Sequence, residues 1–172
     1  MPAKGAVITT ASLRLETKDD APAIHTVLAA AFGEARHKRS VRHLRLSEPL
    51  AALCFVQQIG SDIIGSIRYW PIHVGGRTQL LLGPLAVDPA YKGRGYGQAL
   101  VAHSLAVAEQ LDYDYVLISG EPDYYPRFGF VPVNKGAFIW PGFIEQERLQ
   151  IKILKQSNVP KTGYAQAILP II

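Results

Sequence analysis

Cysteine is almost missing from this 172-residue chain. Cys54 is the single copy, so no disulfide can close within the chain, and its place in the apolar run Leu53-Cys54-Phe55-Val56 reads as a buried structural thiol. Charge is sparse, with Asp, Glu, Lys and Arg at 19% of residues. Eighteen basic against fourteen acidic side chains leave a net charge of +4. That excess suits a ligand carrying phosphates but is too small to argue for nucleic acid, and no RNA-binding aromatic motif accompanies it. Residues 1–13 contain no apolar core of signal-peptide length, and no apolar run reaches the length of a membrane span, so no membrane partner is expected and the cytoplasm is the expected address. Repeats and low-complexity linkers are missing as well. The 48% hydrophobic content is that of a globular chain. At this length one domain is expected, without need of covalent staples. Residues 1–11 read as a loose N-terminal arm and residues 12–172 as one domain.

The patterning predicts a mixed sheet. Ser12–Glu16 alternates as a first strand. Asp19 and Asp20 offer an N-cap with Pro22 in the first turn, and Ile24, Val27, Leu28, Ala31 and Phe32 follow at helical spacing up to a capping Gly33. A second helix is expected over Glu34–Leu46. Leu53–Ile59 and Ile63–Val74 read as a hairpin around Gly60-Ser61-Asp62, with a turn at Gly75-Gly76. Gln79–Val87 is a nearly unbroken apolar strand, expected to be covered on both faces. Its Gly83-Pro84 must bulge or part from a neighbour, because proline donates nothing to a ladder. Tyr96–Leu111 is an amphipathic helix. Tyr115–Ser119, Phe128–Val133 and Arg148–Leu154 complete the strands. The order implies a mixed α/β sheet with helices on both faces.

The most informative segment runs from Val87 to Leu100. A buried strand ends at Val87, Asp88-Pro89 breaks it, and Lys92-Gly93-Arg94-Gly95-Tyr96-Gly97-Gln98 leads at once into a helix. Alternating glycines let backbone N–H groups turn toward one point and let a ligand come close. A helix N-terminus adds about half a positive charge, and Lys92 and Arg94 add whole ones. A diphosphate is the natural occupant, although a structural turn would use the same residues. The glycine spacing does not fit the dinucleotide-binding G-x-G-x-x-G pattern, and no Gly-Lys-Ser or Gly-Lys-Thr occurs.

The run Leu85-Ala86-Val87-Asp88-Pro89 through Gly97 resembles the acetyl-CoA motif of the GNAT superfamily of N-acetyltransferases. That motif reads Gln or Arg, two residues, Gly, one residue, Gly or Ala. Lys92, Gly95 and Gly97 fall on its defined positions, with Lys92 departing from the usual Gln or Arg. Tyr125-Pro126-Arg127-Phe128-Gly129-Phe130 resembles the family's closing motif, a tyrosine four residues before Gly-Phe. With Gly120-Glu121-Pro122 leading into Tyr124-Tyr125, the set is most similar to the YhbS-like subgroup, and the likeness covers about residues 12 to 133.

The resemblance implies a central, mostly antiparallel sheet with splayed middle strands and acetyl-CoA as cosubstrate. Its pantetheine arm would be held by the backbone of Leu85, Ala86 and Val87, and its diphosphate by Lys92, Gly93, Arg94, Gly95, Tyr96, Gly97 and Gln98. It implies transfer of the acetyl group to an amine by direct attack, with Tyr125 as general acid to the departing thiolate and Tyr124 as its neighbouring competitor. Glu121 or Asp123 could serve as general base. His73 and His103 read as structural or solvated. The basic residues Arg36, Lys38, Arg39, Arg42 and Arg45 read either as a solvated helix face or as a lure for an acidic acceptor. Trp140-Pro141-Gly142 could form a lid. Asp112-Tyr113-Asp114-Tyr115 has no further ligands at metal spacing, so no metal is expected. A monomer or homodimer fits. A non-catalytic acyl-CoA-binding module on the same fold and a nucleic-acid-binding domain are the competing classes.

Overall fold

A computed structural model describes residues 10–33, 40–155 and 163–167. Strand β1 (Ala11–Leu15) leads through a 3-10 turn at Lys18–Asp20 into helix α1 (Ala21–Phe32). Asp20 is buried, yet its carboxylate does not cap α1. It accepts from Arg14 Nη1 (2.7 Å) and Nη2 (2.8 Å) and from the Thr17 backbone N–H (2.7 Å), fastening β1 to the helix entry. The Arg14 guanidinium holds the Asp20 carboxyl far below the usual carboxylate range. Gly33, at φ 53°, ends α1 as the sequence suggests, its N–H returning to the Ala29 carbonyl.

The expected second helix over 34–46 does not form where it is described. Residues 34–39 lie outside the described residues, and Ser40–Leu44 is a short 3-10 turn. Val41 and Leu44 are buried from it while Arg42 and His43 face outward. Two apolar residues three apart suit a 3-10 turn, whose side chains superpose every third residue, and give an α-helix no second turn to bury.

Strands β2 (Phe55–Ile59), β3 (Asp62–Val74) and β4 (Arg77–Val87) form an antiparallel meander. Pro71 lies inside β3, opposite Leu80 of β4, between the stretch that pairs with β2 and the stretch that pairs with β9 (Gly163–Ala167) on the other edge. Helix α2 (Tyr96–Ala108) follows, three residues shorter than its pattern suggested, and then β5 (Tyr115–Ser119). The expected strand at 128–133 reduces to β6 (Val131–Pro132), because Tyr125–Phe128 is a 3-10 turn closed by Gly129 at φ 85°. Strands β7 (Phe138–Ile139) and β9 were not legible in the pattern. Strand β8 is Leu149–Ile153. The sheet order is β1-β2-β3-β4-β5-β8-β6, with β9 joining β3 and β7 pairing β9. It is mixed and mostly antiparallel; among the described pairs, β4–β5 and β7–β9 are parallel.

The sheet buries both faces. On one, Leu100, Val101, Leu105 and Ala108 of α2 pack on Phe55, Ile67, Tyr69, Leu80, Leu82, Val116 and Ile118. On the other, Val41, Leu44 and Trp140 cover Ile72, Val74, Leu81, Tyr115 and Leu117. Successive residues of β4 and β5 enter opposite cores, which is why those strands read as continuous apolar runs. Helix α1 lies against β3 and β4. The Trp140 segment cannot act as the lid envisaged for it: Trp140 is buried in the second core.

Candidate active site

Strands β4 and β5 begin as neighbours, with Leu80 opposite Val116 and Leu81 opposite Leu117, and their pairing stops there. Beyond it β4 bulges. Ile67 of β3 faces Leu85 but Tyr69 faces Leu82, so β4 carries one extra residue at Gly83-Pro84, as the proline requires. Gly83 sits at φ 126° and its carbonyl accepts the Trp70 indole N–H at 2.7 Å. Leu85, Ala86 and Val87 still pair with β3 on one edge, while no ladder to β5 occupies the other. A cavity of about 570 Å3 opens between the parted strands.

The cavity runs along β4 to the start of α2. Asp88 ends the strand, its side chain accepting from the Ala90 N–H at 2.8 Å and starting a 3-10 turn, Pro89–Tyr91. Gly93 (φ 79°) and Gly95 (φ 84°) adopt left-handed conformations, and a Cβ at either would meet nothing within 4 Å. These glycines therefore serve backbone direction and open space on their ligand side, not packing. Gly95 is the N-cap of α2, so the unsatisfied amides of the first helical turn point at the cavity end.

Of the ten residues expected to hold acetyl-CoA, together with Tyr125 and Glu121, eleven of the twelve line this one cavity: Leu85, Ala86, Val87, Lys92, Gly93, Gly95, Tyr96, Gly97, Gln98, Glu121 and Tyr125. Arg94 does not. Its side chain is exposed, with the guanidinium 5.4 Å above the Tyr91 ring. The cavity also brings in residues that local sequence did not mark: Ala31 and Phe32 of α1, Val41 from the 3-10 turn, Ser119 at the end of β5 and Arg148 before β8. They come from distant stretches with no shared motif. Arg45 also lines the cavity, whereas Arg42 is exposed and residues 36–39 lie outside the described residues.

The tyrosine pair separates clearly. Tyr125 is buried at 7% exposure, its ring packed edge-on to Phe130 (5.6 Å) and Tyr124 (5.0 Å). A Cβ at Gly120 would lie 2.3 Å from its Cε2, so Gly120 is the space the Tyr125 ring fills. The Tyr124 hydroxyl stands against the first turn of α2, 3.0 Å from where a Gly97 Cβ would be. Burial raises the Tyr124 phenol, and the Arg127 guanidinium 4.9 Å from its ring opposes that rise. Glu121 is largely exposed and accepts from Arg148 Nη1 at 2.7 Å. Asp123 is exposed and off the cavity wall. His73 borders a separate pocket beside β9, and His103 packs edge-to-face on Phe55 at 4.8 Å. Burial pushes the Cys54 thiol up to about 11, so it is no ready nucleophile. Among the described residues no three His, Cys, Asp or Glu side chains group as metal ligands, and no helix is long and apolar enough to cross a membrane.

A mixed sheet parted at a bulge, with the gap running into a glycine-rich helix start, is the architecture of the acyl-CoA N-acyltransferases. The chain belongs to the acetyltransferase (GNAT) family, whose model matches residues 21–130. It is 32% identical over 120 residues to the N-acetyltransferase YhbS of Escherichia coli K12, a protein described as uncharacterized, covering 69% of this chain and 72% of the relative. The crystal structure of E. coli YhbS in complex with CoA superposes with a TM-score of 0.72 at 28% identity, covering 92% of this chain and 89% of that one. A GNAT acetyltransferase from Brucella melitensis, solved with acetyl-CoA, shares the fold at a TM-score of 0.67 and 24% identity, over 93% and 97% of the two chains.

Proposed function

We propose that this acyltransferase moves an acetyl group from acetyl-CoA to a primary amine by direct attack, with Tyr125 as general acid. The observation that carries the reading is the gap beyond Leu81 and Leu117, open along Leu85–Val87 and ending on the amides of α2. The residues fit the cosubstrate. The amides of Gly93 to Gly97, the N-terminus of α2 and Lys92 suit a diphosphate. The β4 edge that β5 leaves bare supplies backbone donors and acceptors to the amides of a pantetheine arm, as a further strand would.

The amine nitrogen attacks the thioester carbonyl carbon, and the carbon–sulfur bond breaks as the amide forms. Backbone N–H groups along Leu85–Val87 steady the oxygen that gains negative charge. The Tyr125 hydroxyl gives its proton to the CoA thiolate as the carbon–sulfur bond breaks. The proton lost by the amine passes to Glu121 through water, with Arg148 fixing that carboxylate on the cavity wall.

Tyr125→Phe tests the acid. It keeps the ring and its packing on Phe130 and removes the hydroxyl. The rate of CoA release with a working amine should fall about 10²- to 10⁴-fold, with acetyl-CoA affinity and melting temperature little changed. Tyr124→Phe should be the milder change. Retention of more than about a third of wild-type kcat by Tyr125→Phe, with chemistry rate-limiting, would remove Tyr125 from the role. A non-catalytic acyl-CoA-binding module is the second reading, and turnover with any amine excludes it.

A further inference from the structure

Gly97 is a glycine for a reason that Gly93 and Gly95 do not share. Those two take left-handed backbone conformations with open space beside them, whereas Gly97 has no positive φ and its space is taken. The Tyr124 hydroxyl lies 3.0 Å from where a Gly97 Cβ would be, and Val87 Cγ2 lies 3.5 Å from the same point. Gly97 is the second residue of α2 and Val87 the last of β4. Glycine at 97 thus admits the tyrosine oxygen to the corner where the strand edge meets the helix start. Tyr124, Val87 and Gly97 all line the cavity.

The Tyr124 ring is held in place. Tyr125 stands edge-on to it at 5.0 Å, Phe128 lies at 5.6 Å, and the Arg127 guanidinium sits 4.9 Å from its centroid. Its hydroxyl, by contrast, accepts from and donates to no group among the described residues. Burial raises the phenol, so it keeps its proton at neutral pH. A protonated hydroxyl fixed in a cavity wall without a protein acceptor is a donor directed at the cavity's occupant.

The occupant at that corner is set by the neighbouring groups. The amides of Gly93 to Gly97 and Lys92 suit a diphosphate, which offers acceptor oxygens and no donors. A phenol O–H to an anionic oxygen is a charge-assisted bond, stronger than one between neutral groups. Arg127 over the ring adds positive charge beside it. Tyr125, one residue on, points elsewhere: its ring fills the space at Gly120, beyond the end of β5. The two adjacent tyrosines therefore serve different parts of the cavity.

We propose that Tyr124 is a cosubstrate-binding residue, whose hydroxyl donates a hydrogen bond to the diphosphate of acetyl-CoA where the pantetheine arm leaves it. The inference rests on acetyl-CoA binding in this cavity as proposed above.

Calorimetric titration with CoA, which needs no acceptor, is the first arm of the test. Tyr124→Phe keeps the ring and its packing and removes only the oxygen. It should weaken CoA binding about 10- to 100-fold. In kinetics it should raise the KM of acetyl-CoA by a similar factor and leave kcat at saturation within about twofold of wild type. Tyr125→Phe should show the opposite split. The second arm varies the ligand. 3′-Dephospho-CoA keeps the diphosphate and should lose as much affinity as CoA, whereas pantetheine, which has no phosphate, should inhibit both enzymes equally. Unchanged CoA affinity in Tyr124→Phe would overturn the inference and leave the hydroxyl a packing atom against Gly97. A loss shared by pantetheine would move the contact to the arm, and a loss absent with 3′-dephospho-CoA would move it to the ribose phosphate; either overturns it. A fall in kcat with CoA affinity intact would overturn it too, and would transfer the general-acid role to Tyr124. The two proposals fail in different ways. No CoA binding by the wild type sinks both, CoA binding indifferent to the hydroxyl sinks this one alone, and hydroxyl-dependent binding without turnover of any amine upholds Tyr124 and sinks acetyl transfer.

Discussion

Gly120→Ala perturbs the proposed acid without replacing it. The new Cβ would stand 2.3 Å from Tyr125 Cε2, 2.6 Å from its Cδ2 and 3.1 Å from Ile118 Cδ1. Ordinary contact begins near 3.4 Å, so the ring edge must retreat about 1 Å. Phe130, Phe128 and Tyr124 surround that ring, and it cannot retreat freely. The backbone of Gly120 has no left-handed φ, so alanine brings no strain of its own. Overpacking of this kind costs about 1–3 kcal/mol, and each kcal/mol lowers the melting temperature of a chain this long by about 2–4 °C. Misplacing a catalytic group by about 1 Å costs on the order of 10²-fold in rate. The expected result is therefore a folded, modestly destabilised enzyme with kcat down by roughly two orders of magnitude and acetyl-CoA affinity nearly intact. Differential scanning fluorimetry and CoA-release kinetics read the two effects separately. The decisive comparison is the pair Gly120→Ala and Tyr125→Phe. If the alanine acts through the tyrosine hydroxyl, it should add little further loss of rate to Tyr125→Phe. Full additivity of the two rate losses, or a Gly120→Ala enzyme with wild-type kcat and a lowered melting temperature, would refute the link between that ring and the chemistry.

Gly95→Asp places a carboxylate at the N-cap of α2, at φ 84°, in the open space assigned to the diphosphate; thermal stabilisation by acetyl-CoA should vanish, while Gly95→Ala should weaken it less. Asp20→Asn removes the carboxylate that Arg14 holds below its ordinary range, so the wild type should be the more stable protein at neutral pH by about 1–2 kcal/mol. Because the folded carboxyl titrates below the unfolded one, that advantage is complete above about pH 5 and shrinks as pH falls below 4, which melting temperatures at several pH values will show. Gly83→Ala sets a Cβ 2.8 Å from Arg45 Nη2 at a φ of 126°, and it should lower both melting temperature and acetyl-CoA affinity by disturbing the bulge.

The elements that sequence made legible are those whose residues have a local reason to be where they are. Gly93 and Gly95 take left-handed conformations that other residues resist, and Gly83-Pro84 breaks a ladder wherever it occurs, so the cradle and the bulge could be placed before any fold was known. The continuous apolar run of β4 announced burial on both faces, and Leu80, Leu81 and Leu82 do enter alternate cores. The far wall of the cavity had no such signature. Phe32 reads as one more apolar residue on a helix, and its place in the cavity depends on how α1 docks on β3 and β4. Arg45 reads as one base in a basic run, and only the 3-10 turn carries it over Gly83. Over Ser40–Leu44 the second helix was misread because arginine and histidine tolerate helix without demanding it, while the buried residues of that described stretch, Val41 and Leu44, stand three apart. Strand β7, two residues long, is too short for alternation to register.

Whether the cavity between β4 and β5 takes acetyl-CoA at all decides the rest, and calorimetric titration of the wild type and Gly95→Asp with acetyl-CoA asks it directly. Saturable one-to-one binding by the wild type, with a matching rise in melting temperature and loss of both in Gly95→Asp, is the predicted result. No heat and no thermal shift at millimolar acetyl-CoA, or equal binding by Gly95→Asp, would contradict it.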